Sequence, residues 1–140
     1  MKEYFENKVA VVTGGASGIV FAPMPFQTLY SATKSALMAF TSSLRSELWD
    51  ESIRLSTVIP GTVATPMWDK AGGVPASAIT PQTSAQGILK GLAANERIII
   101  LTEDDINGAK YHFLPEYGET VDAYFVNVAR QRKNGNFKAI

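Results

Sequence analysis

The segment from Lys8 to Ile19 constrains the fold of this chain more than any other. It contains the continuous apolar run Val9–Val12, which is mostly β-branched. Such a run is typical of a strand that is buried on both faces of a parallel sheet. Glycines at positions 14, 15 and 18 follow at once, and glycine allows the chain to turn tightly. We therefore predict an α/β fold whose first strand ends in a glycine turn.

Two more strands are predicted further along the chain. Ile53 to Ile59 alternates apolar and polar residues and ends at Pro60-Gly61, and Arg97 to Leu101 is another continuous apolar run. The connections between the three strands are long enough to hold helices, as parallel pairing requires. The sequence therefore predicts a reduced three-layer parallel sheet of about three strands, flanked by helices.

Helices are predicted in both connections and in the C-terminal tail. The first runs from Tyr30 to about Trp49, and the second begins at Thr80-Pro81, which suits a cap and a first turn, and runs to about Ala94. Prolines 23 and 25 predict an extended loop ahead of the first helix. Weaker patterns predict tail helices over 108–113 and 120–132, with a frayed end over 130–138. The residues expected to point inward are Leu37, Phe40, Leu44 and Leu48 of the first helix and Ala85, Ile88, Leu89 and Leu92 of the second.

Composition excludes several classes of protein. The 140 residues include 13 basic and 13 acidic side chains, so nothing in the charge favours nucleic acid or an anionic membrane as a partner. The absence of cysteine and the single histidine, His112, argue against a metal cluster. No apolar run approaches the roughly 20 residues of a membrane span, and the first residues are too polar for a signal peptide. We expect a soluble, cytoplasmic protein that binds no metal.

Tyr30 and Lys34 form the most chemically suggestive pair in the sequence. Four residues apart, they lie on the same face of the predicted helix, so the phenol and the ammonium can point into one site. A cation beside a phenol favours the phenolate, which helps the hydroxyl to exchange a proton near neutral pH. The spacing alone is common on helices, so the pair needs support from other motifs.

Three further features carry a resemblance to a known family. They are the strand and glycine turn of Lys8 to Ile19, the position of Ser17 thirteen residues before Tyr30, and the sequence Ile59-Pro60-Gly61-Thr62-Val63-Ala64-Thr65-Pro66-Met67 after the second strand. Together with Tyr30 and Lys34, they resemble the short-chain dehydrogenases/reductases, which are nicotinamide-dependent oxidoreductases on a Rossmann-type sheet. The resemblance covers most of the chain from Lys8 to about Leu101.

The resemblance implies roles for particular residues. Tyr30 would be the general acid/base, Lys34 would favour its phenolate and hold the ribose hydroxyls, and Ser17 would orient the carbonyl of a small alcohol or carbonyl substrate. The cofactor would be NAD or NADP, and residues 68–79 would be a variable substrate lid. The residues that would bind the cofactor are Thr13, Gly14, Gly18 and Ile19 at the pyrophosphate and Lys34, Pro60, Gly61, Val63 and Thr65 nearer the nicotinamide.

The chain also departs from the family pattern. The last glycine of the family's turn is replaced by Val20, and the strands and helices that normally separate the glycine turn from the catalytic tyrosine are absent from the sequence. Ser17 fits the glycine turn in one alignment and the catalytic serine in another. The sequence leaves open whether the central region is truly deleted or is present in the protein but not in these 140 residues.

Two functions therefore stay open at the level of sequence. The chain is either an oxidoreductase with Tyr30 at its centre or a catalytically incompetent scaffold derived from the family. In either case the resemblance implies a homo-oligomer formed through the helix Tyr30–Trp49. We predict a single truncated Rossmann-like domain over residues 1–140, in which 1–19 hold the first strand and turn, 20–101 the catalytic helix, Pro-Gly loop, lid and last strand, and 102–140 a helical tail.

Overall fold

A three-stranded parallel sheet forms the centre of the protein. A computed structural model describes residues 12–14, 20–70 and 72–136. Strand β1 (Val12–Gly14) pairs with β2 (Ser56–Ile59), which pairs in turn with β3 (Ile98–Ile100), and all pairs are parallel. The α/β class and the small parallel sheet are thus confirmed. The predicted strand residues before Val12 lie outside the described ranges.

Four helices surround the sheet in the described part of the chain. They are α1 (Thr28–Glu47), α2 (Pro81–Ala93), α3 (Glu103–Phe113) and α4 (Gly118–Lys133). The predicted start of α2 is confirmed, because the Thr83 N–H donates to Thr80 Oγ1 at 3.1 Å, with proline in the first turn. Residues 20–27, which include the two prolines, form no helix, also as predicted.

The central strand β2 is buried along its whole length. Leu55, Val58 and Ile59 are almost completely buried, and so are the polar residues between them. The alternation in the sequence therefore marks a strand that is covered on both faces, as expected for the middle of a parallel sheet. The strand begins at Ser56 and not at Ile53, since the Leu55 carbonyl accepts a hydrogen bond from the guanidinium of Arg45.

The inward face predicted for α1 was wrong in part. Phe40 is 63% exposed, and the buried residues of the helix are Ser31, Thr41 and Arg45. Arg45 explains this orientation. It donates to the Leu55 carbonyl and also to the backbone and side-chain oxygens of Asn95 at 2.8 and 2.7 Å. One arginine thus joins α1, β2 and the turn between α2 and β3.

The inward face predicted for α2 also needs correction. Leu89 and Ala85 are exposed, whereas Ser84 and Gly91 are buried. A methyl group at Gly91 would lie 2.7 Å from Cγ1 of Ile99, so the helix approaches β3 closely at this glycine. Small residues, not the leucine of the apolar stripe, therefore form this contact.

The C-terminal tail is more ordered than the sequence predicts. Helix α4 continues to Lys133, and Arg132, which was placed in a frayed end, is only 4% exposed. Its Nη1 donates to the carbonyl of Pro25 at 2.8 Å. The last helix is therefore joined to the loop that precedes α1. No helix in the described ranges is long and apolar enough to cross a membrane.

Candidate active site at the carboxyl edge of the sheet

The candidate site lies where the three parallel strands end. Because the strands run in the same direction, the segments that follow them meet at one edge of the sheet. Helix α1 comes after β1, the Pro60-Gly61 loop after β2 and the start of α3 after β3. This carboxyl edge is where open α/β sheets bind their ligands.

Tyr30 and Lys34 lie in the first turns of α1. Tyr30 is the third residue of the helix and is 42% exposed, so its ring is accessible to a ligand. The Lys34 Nζ lies 5.4 Å from the centroid of the Tyr30 ring. The ammonium is thus held close to the phenol by helical spacing, as the sequence predicts, within the range of a cation–π contact.

The turn before α1 sets where the helix begins. Phe26 has a φ of 64°, in the left-handed region that non-glycine residues seldom adopt. The Gln27 N–H donates to the Met24 carbonyl at 3.1 Å, and the Ser31 N–H donates to the Gln27 carbonyl at 2.8 Å. The hydrogen bond from Arg132 to the Pro25 carbonyl supports the same turn from outside. Helix α4 therefore supports the turn that precedes Tyr30.

Gly61 turns the chain sharply after β2. Its φ of 67° lies in the left-handed region, and the residue is buried. A methyl group here would lie 2.6 Å from Cγ2 of Thr102 and 2.7 Å from Oδ2 of Asp105. Both conformation and space thus require glycine at this position, which the sequence singled out only through the Pro-Gly motif.

The loop after Gly61 is tied down at both ends. Val63 pairs with Ile79 in an isolated parallel bridge, in which the Ala64 N–H and the Ile79 carbonyl are 2.9 Å apart. The indole of Trp68 donates to the Val63 carbonyl at 2.9 Å. Trp68 belongs to a short 3₁₀ helix, Pro66–Lys70, in the segment expected to be a lid. Thr65 precedes this helix and is partly exposed.

The start of α3 contributes a buried carboxyl group that the sequence reasoning missed. Thr102 caps the helix by accepting from the Asp105 N–H at 3.2 Å, and its hydroxyl donates to Asp105 Oδ2 at 2.5 Å. Burial raises the pKa of Asp105, the hydrogen bond from Thr102 opposes this, and Asp104 adds to the rise. The motif Thr-x-x-Asp after an apolar run is a helix-start signal that was available in the sequence.

The predicted residues of the glycine turn are only partly described by the structure. Thr13 and Gly14 belong to β1, and their backbones lie opposite Thr57 and Val58. Ser17, Gly18 and Ile19 lie outside the described residues. The structure therefore brings together, at one edge, the ends of the elements that carry Tyr30, Lys34, Pro60, Gly61, Val63 and Thr65. His112 is exposed. Among the described residues, no cluster of acidic or histidine side chains has the geometry of a metal site.

The described part of the site fits the nicotinamide end of a dinucleotide. The Val63 carbonyl is taken by Trp68, but the Val63 N–H has no partner within the described ranges and stays available to a ligand's carbonyl group. A backbone N–H, a phenol and an ammonium at one edge of the sheet suit the carboxamide and the ribose of such a cofactor.

Comparison with protein families gives a match to the short chain dehydrogenase model over residues 17–73. The matched range contains Tyr30, Lys34 and the Pro60-Gly61 loop. Among curated proteins, the chain is 30% identical over 89 residues to a dehydrogenase/reductase SDR family protein 7-like of Anopheles gambiae, covering 56% of this chain and 28% of that protein. It is 37% identical over 83 residues to an NADP-dependent 3-hydroxy acid dehydrogenase of Schizosaccharomyces pombe, covering 52% of this chain and 32% of that protein.

Solved structures give the same picture for the fold. A short chain dehydrogenase from Burkholderia cenocepacia in complex with NADP superposes with a TM-score of 0.67 at 21% identity, covering 81% of this chain and 46% of that one. A short-chain dehydrogenase from Novosphingobium aromaticivorans gives 0.62 at 20% identity, covering 99% of this chain and 50% of that one. The alignments thus span about half of these structures and under a third of the two sequence relatives. The family model, the relatives and the Rossmann-type fold agree: the chain is similar to the short-chain dehydrogenases/reductases.

Proposed function

We propose that the protein is an NAD- or NADP-dependent oxidoreductase that interconverts a small alcohol and its carbonyl compound. The observation that carries the proposal is the Tyr30–Lys34 pair, with Lys34 Nζ 5.4 Å from the ring of an accessible tyrosine at the carboxyl edge of the sheet. Relatives whose names include dehydrogenase or reductase support this reading over a non-catalytic scaffold.

Tyr30 acts as the general acid in the direction of reduction. Its hydroxyl gives a proton to the carbonyl oxygen of the substrate, and the reduced nicotinamide, when bound, supplies the hydride that the carbonyl carbon receives. The O–H bond of Tyr30 breaks, and an O–H bond forms on the product alcohol. Oxidation runs the same transfer backwards, with the phenolate of Tyr30 as the base.

Lys34 and the loop after β2 complete the site. The ammonium, 5.4 Å from the centroid of the Tyr30 ring, suits the ribose hydroxyls of the cofactor. Pro60, Gly61, Val63 and Thr65 offer backbone and hydroxyl groups to the nicotinamide carboxamide. On the part of the chain outside the described residues, Gly18 and Ile19 are assigned to the pyrophosphate and Ser17 to the substrate carbonyl, by resemblance.

The proposal also covers the oligomeric state, the extent of the domain and the cellular location. A homo-oligomer through α1 is supported by two apolar side chains that the helix leaves exposed, Leu29 at 85% and Phe40 at 63%. That residues 1–140 act as one reduced domain, and that the protein is cytoplasmic, stay predictions from the sequence.

The decisive test is Tyr30→Phe. It removes one hydroxyl from an accessible ring, so we expect NADPH- or NADH-dependent turnover of a carbonyl panel to fall by about a hundredfold or more, with unchanged thermal stability. The matched control is Tyr124→Phe, which removes the hydroxyl of another half-exposed tyrosine on α4. Turnover that survives in Tyr30→Phe as it does in Tyr124→Phe would contradict the role of Tyr30. If neither nucleotide binds saturably to the unsubstituted protein, the proposed function itself is wrong.

A further inference from the structure

The start of α3 forms a wall beside the loop that leaves β2. A methyl group at Gly61 would be 2.6 Å from Thr102 Cγ2 and 2.7 Å from Asp105 Oδ2, which means that these two side chains fill the space next to the Gly61 α-carbon. The Leu101 N–H also donates to the Ile59 carbonyl at 3.1 Å, which fixes the chain before Thr102 relative to β2. The wall is therefore anchored to the same strand from which the loop starts.

The two wall residues hold each other in place. The Thr102 hydroxyl donates to Asp105 Oδ2 at 2.5 Å and accepts from the Asp105 N–H at 3.2 Å. This reciprocal arrangement restricts both side chains to one geometry. Asp105 is only 9% exposed, so water has little access to the contact with Gly61.

We propose that Thr102 and Asp105 are positioning residues that set the path of the loop from Gly61 to Val63. The inference rests on the proposed function, because it assigns this loop to the nicotinamide. If the side chain of Thr102 or Asp105 no longer fills the space beside Gly61, Gly61 can relax from its left-handed turn. The Val63 N–H then moves away from the ligand group that it would meet. A displacement of about an ångström in a binding group is enough to weaken binding and catalysis markedly.

The fluorescence of Trp68 reports on the position of the loop without any cofactor. Its indole donates to the Val63 carbonyl, so a shift of Val63 changes the environment of this ring. The other tryptophan of the chain, Trp49, lies beside Arg45 and Arg54 at the opposite end of α1. In a Trp49→Phe background, with excitation selective for tryptophan, the emission therefore comes from Trp68 alone.

The test compares Asp105→Ala with Asp104→Ala in that background. Both variants remove one carboxylate from the first turn of α3, but Asp104 is exposed, whereas Asp105 contacts the loop. We expect Asp105→Ala to shift the Trp68 emission and to raise the Kd for NADPH or NADH about tenfold. Asp104→Ala should change neither. Asp105→Asn keeps the shape and an acceptor for Thr102, so it should restore both signals.

A milder variant keeps the test decisive if Asp105→Ala fails to fold. Thr102→Ser retains the capping hydroxyl but removes the Cγ2 methyl beside Gly61. We expect a Trp68 shift and a Kd about threefold higher, with near-normal stability. If neither Thr102→Ser nor Asp105→Ala moves the Trp68 emission relative to Asp104→Ala, the positioning role is wrong. Because emission is read without nucleotide, that result differs from failure of the proposed function, in which the unsubstituted protein binds no nucleotide.

Discussion

At the scale of the residue, Asp105 connects stability to pH. Burial makes its native-state pKa higher than the usual 3.8, so the native protein holds this proton more tightly than the unfolded chain. At a pH below the pKa that Asp105 has in the unfolded chain, both states are protonated, and Asp105 makes its full contribution to the free energy of unfolding. The unfolded chain releases its proton at a lower pH than the native protein does. The free energy of unfolding therefore falls as the pH rises through the pKa that Asp105 has in the native protein.

Asp105→Asn should remove this dependence. We expect urea unfolding between about pH 3.5 and 7 to show the variant gaining stability relative to the unsubstituted protein as the pH rises. Asp104→Asn, with its exposed carboxyl, is the control and should leave the slope almost unchanged. A stability difference between Asp105→Asn and the unsubstituted protein that is constant over this range would mean that Asp105 has an ordinary pKa.

At the scale of the element, Arg45 determines how α1 sits on the sheet. Its guanidinium is buried and donates to the Leu55 carbonyl and to both oxygens of Asn95, whose φ of 56° makes the tight turn before β3. Burial, together with Arg54 and Arg97, lowers the pKa of Arg45 from its usual range. Since hydrogen bonds satisfy the guanidinium, the helix turns this polar side chain inward and leaves Phe40 outside.

Arg45→Met should therefore be strongly destabilising. The change keeps an unbranched side chain but leaves buried carbonyl groups without their donor, and we expect a loss of about 3 kcal/mol in the free energy of unfolding. Arg54→Met is the matched control. Arg54 stacks on Trp49 with its Cζ 3.7 Å from the ring centroid but lies nearer the surface, so a loss of about 1 kcal/mol or less is expected. Equal losses of unfolding free energy in the two variants would refute the role of Arg45 in joining α1 to β2 and to the turn before β3.

At the scale of the whole molecule, the small sheet leaves much apolar surface uncovered. The exposed side chains of Leu29 and Phe40 lie on α1, the helix through which we propose the oligomer forms. Phe40→Glu should place a charge in that interface. We expect sedimentation to give the unsubstituted protein a mass above the 15.2 kDa of one chain and the variant a mass near it.

The control for this experiment is Val126→Glu. Val126 is another exposed apolar residue, but it lies on α4. It should leave the mass unchanged. If Phe40→Glu and Val126→Glu sediment alike, association does not use α1.

Much of the architecture was contained in short stretches of sequence. Two continuous apolar runs and one alternating segment predicted three parallel strands, Thr80-Pro81 predicted the start of α2, and the prolines at 23 and 25 predicted the loop before α1. Each of these elements depends on the conformational preferences of a few neighbouring residues, so each can be predicted from a short stretch of sequence. Tyr30 and Lys34 are likewise close because helical spacing brings them together.

The tertiary structure alone decided which side of each element is buried and which distant residues support the site. Apolar periodicity placed Phe40 and Leu89 inside, but Arg45 orients one helix by donating to the Leu55 carbonyl and to both oxygens of Asn95, and Gly91 lets the other approach β3 closely. Arg132 reaches Pro25, and Asp105 reaches Gly61, across 107 and 44 positions of sequence. Such contacts depend on where the chain returns after folding, and no local preference encodes that.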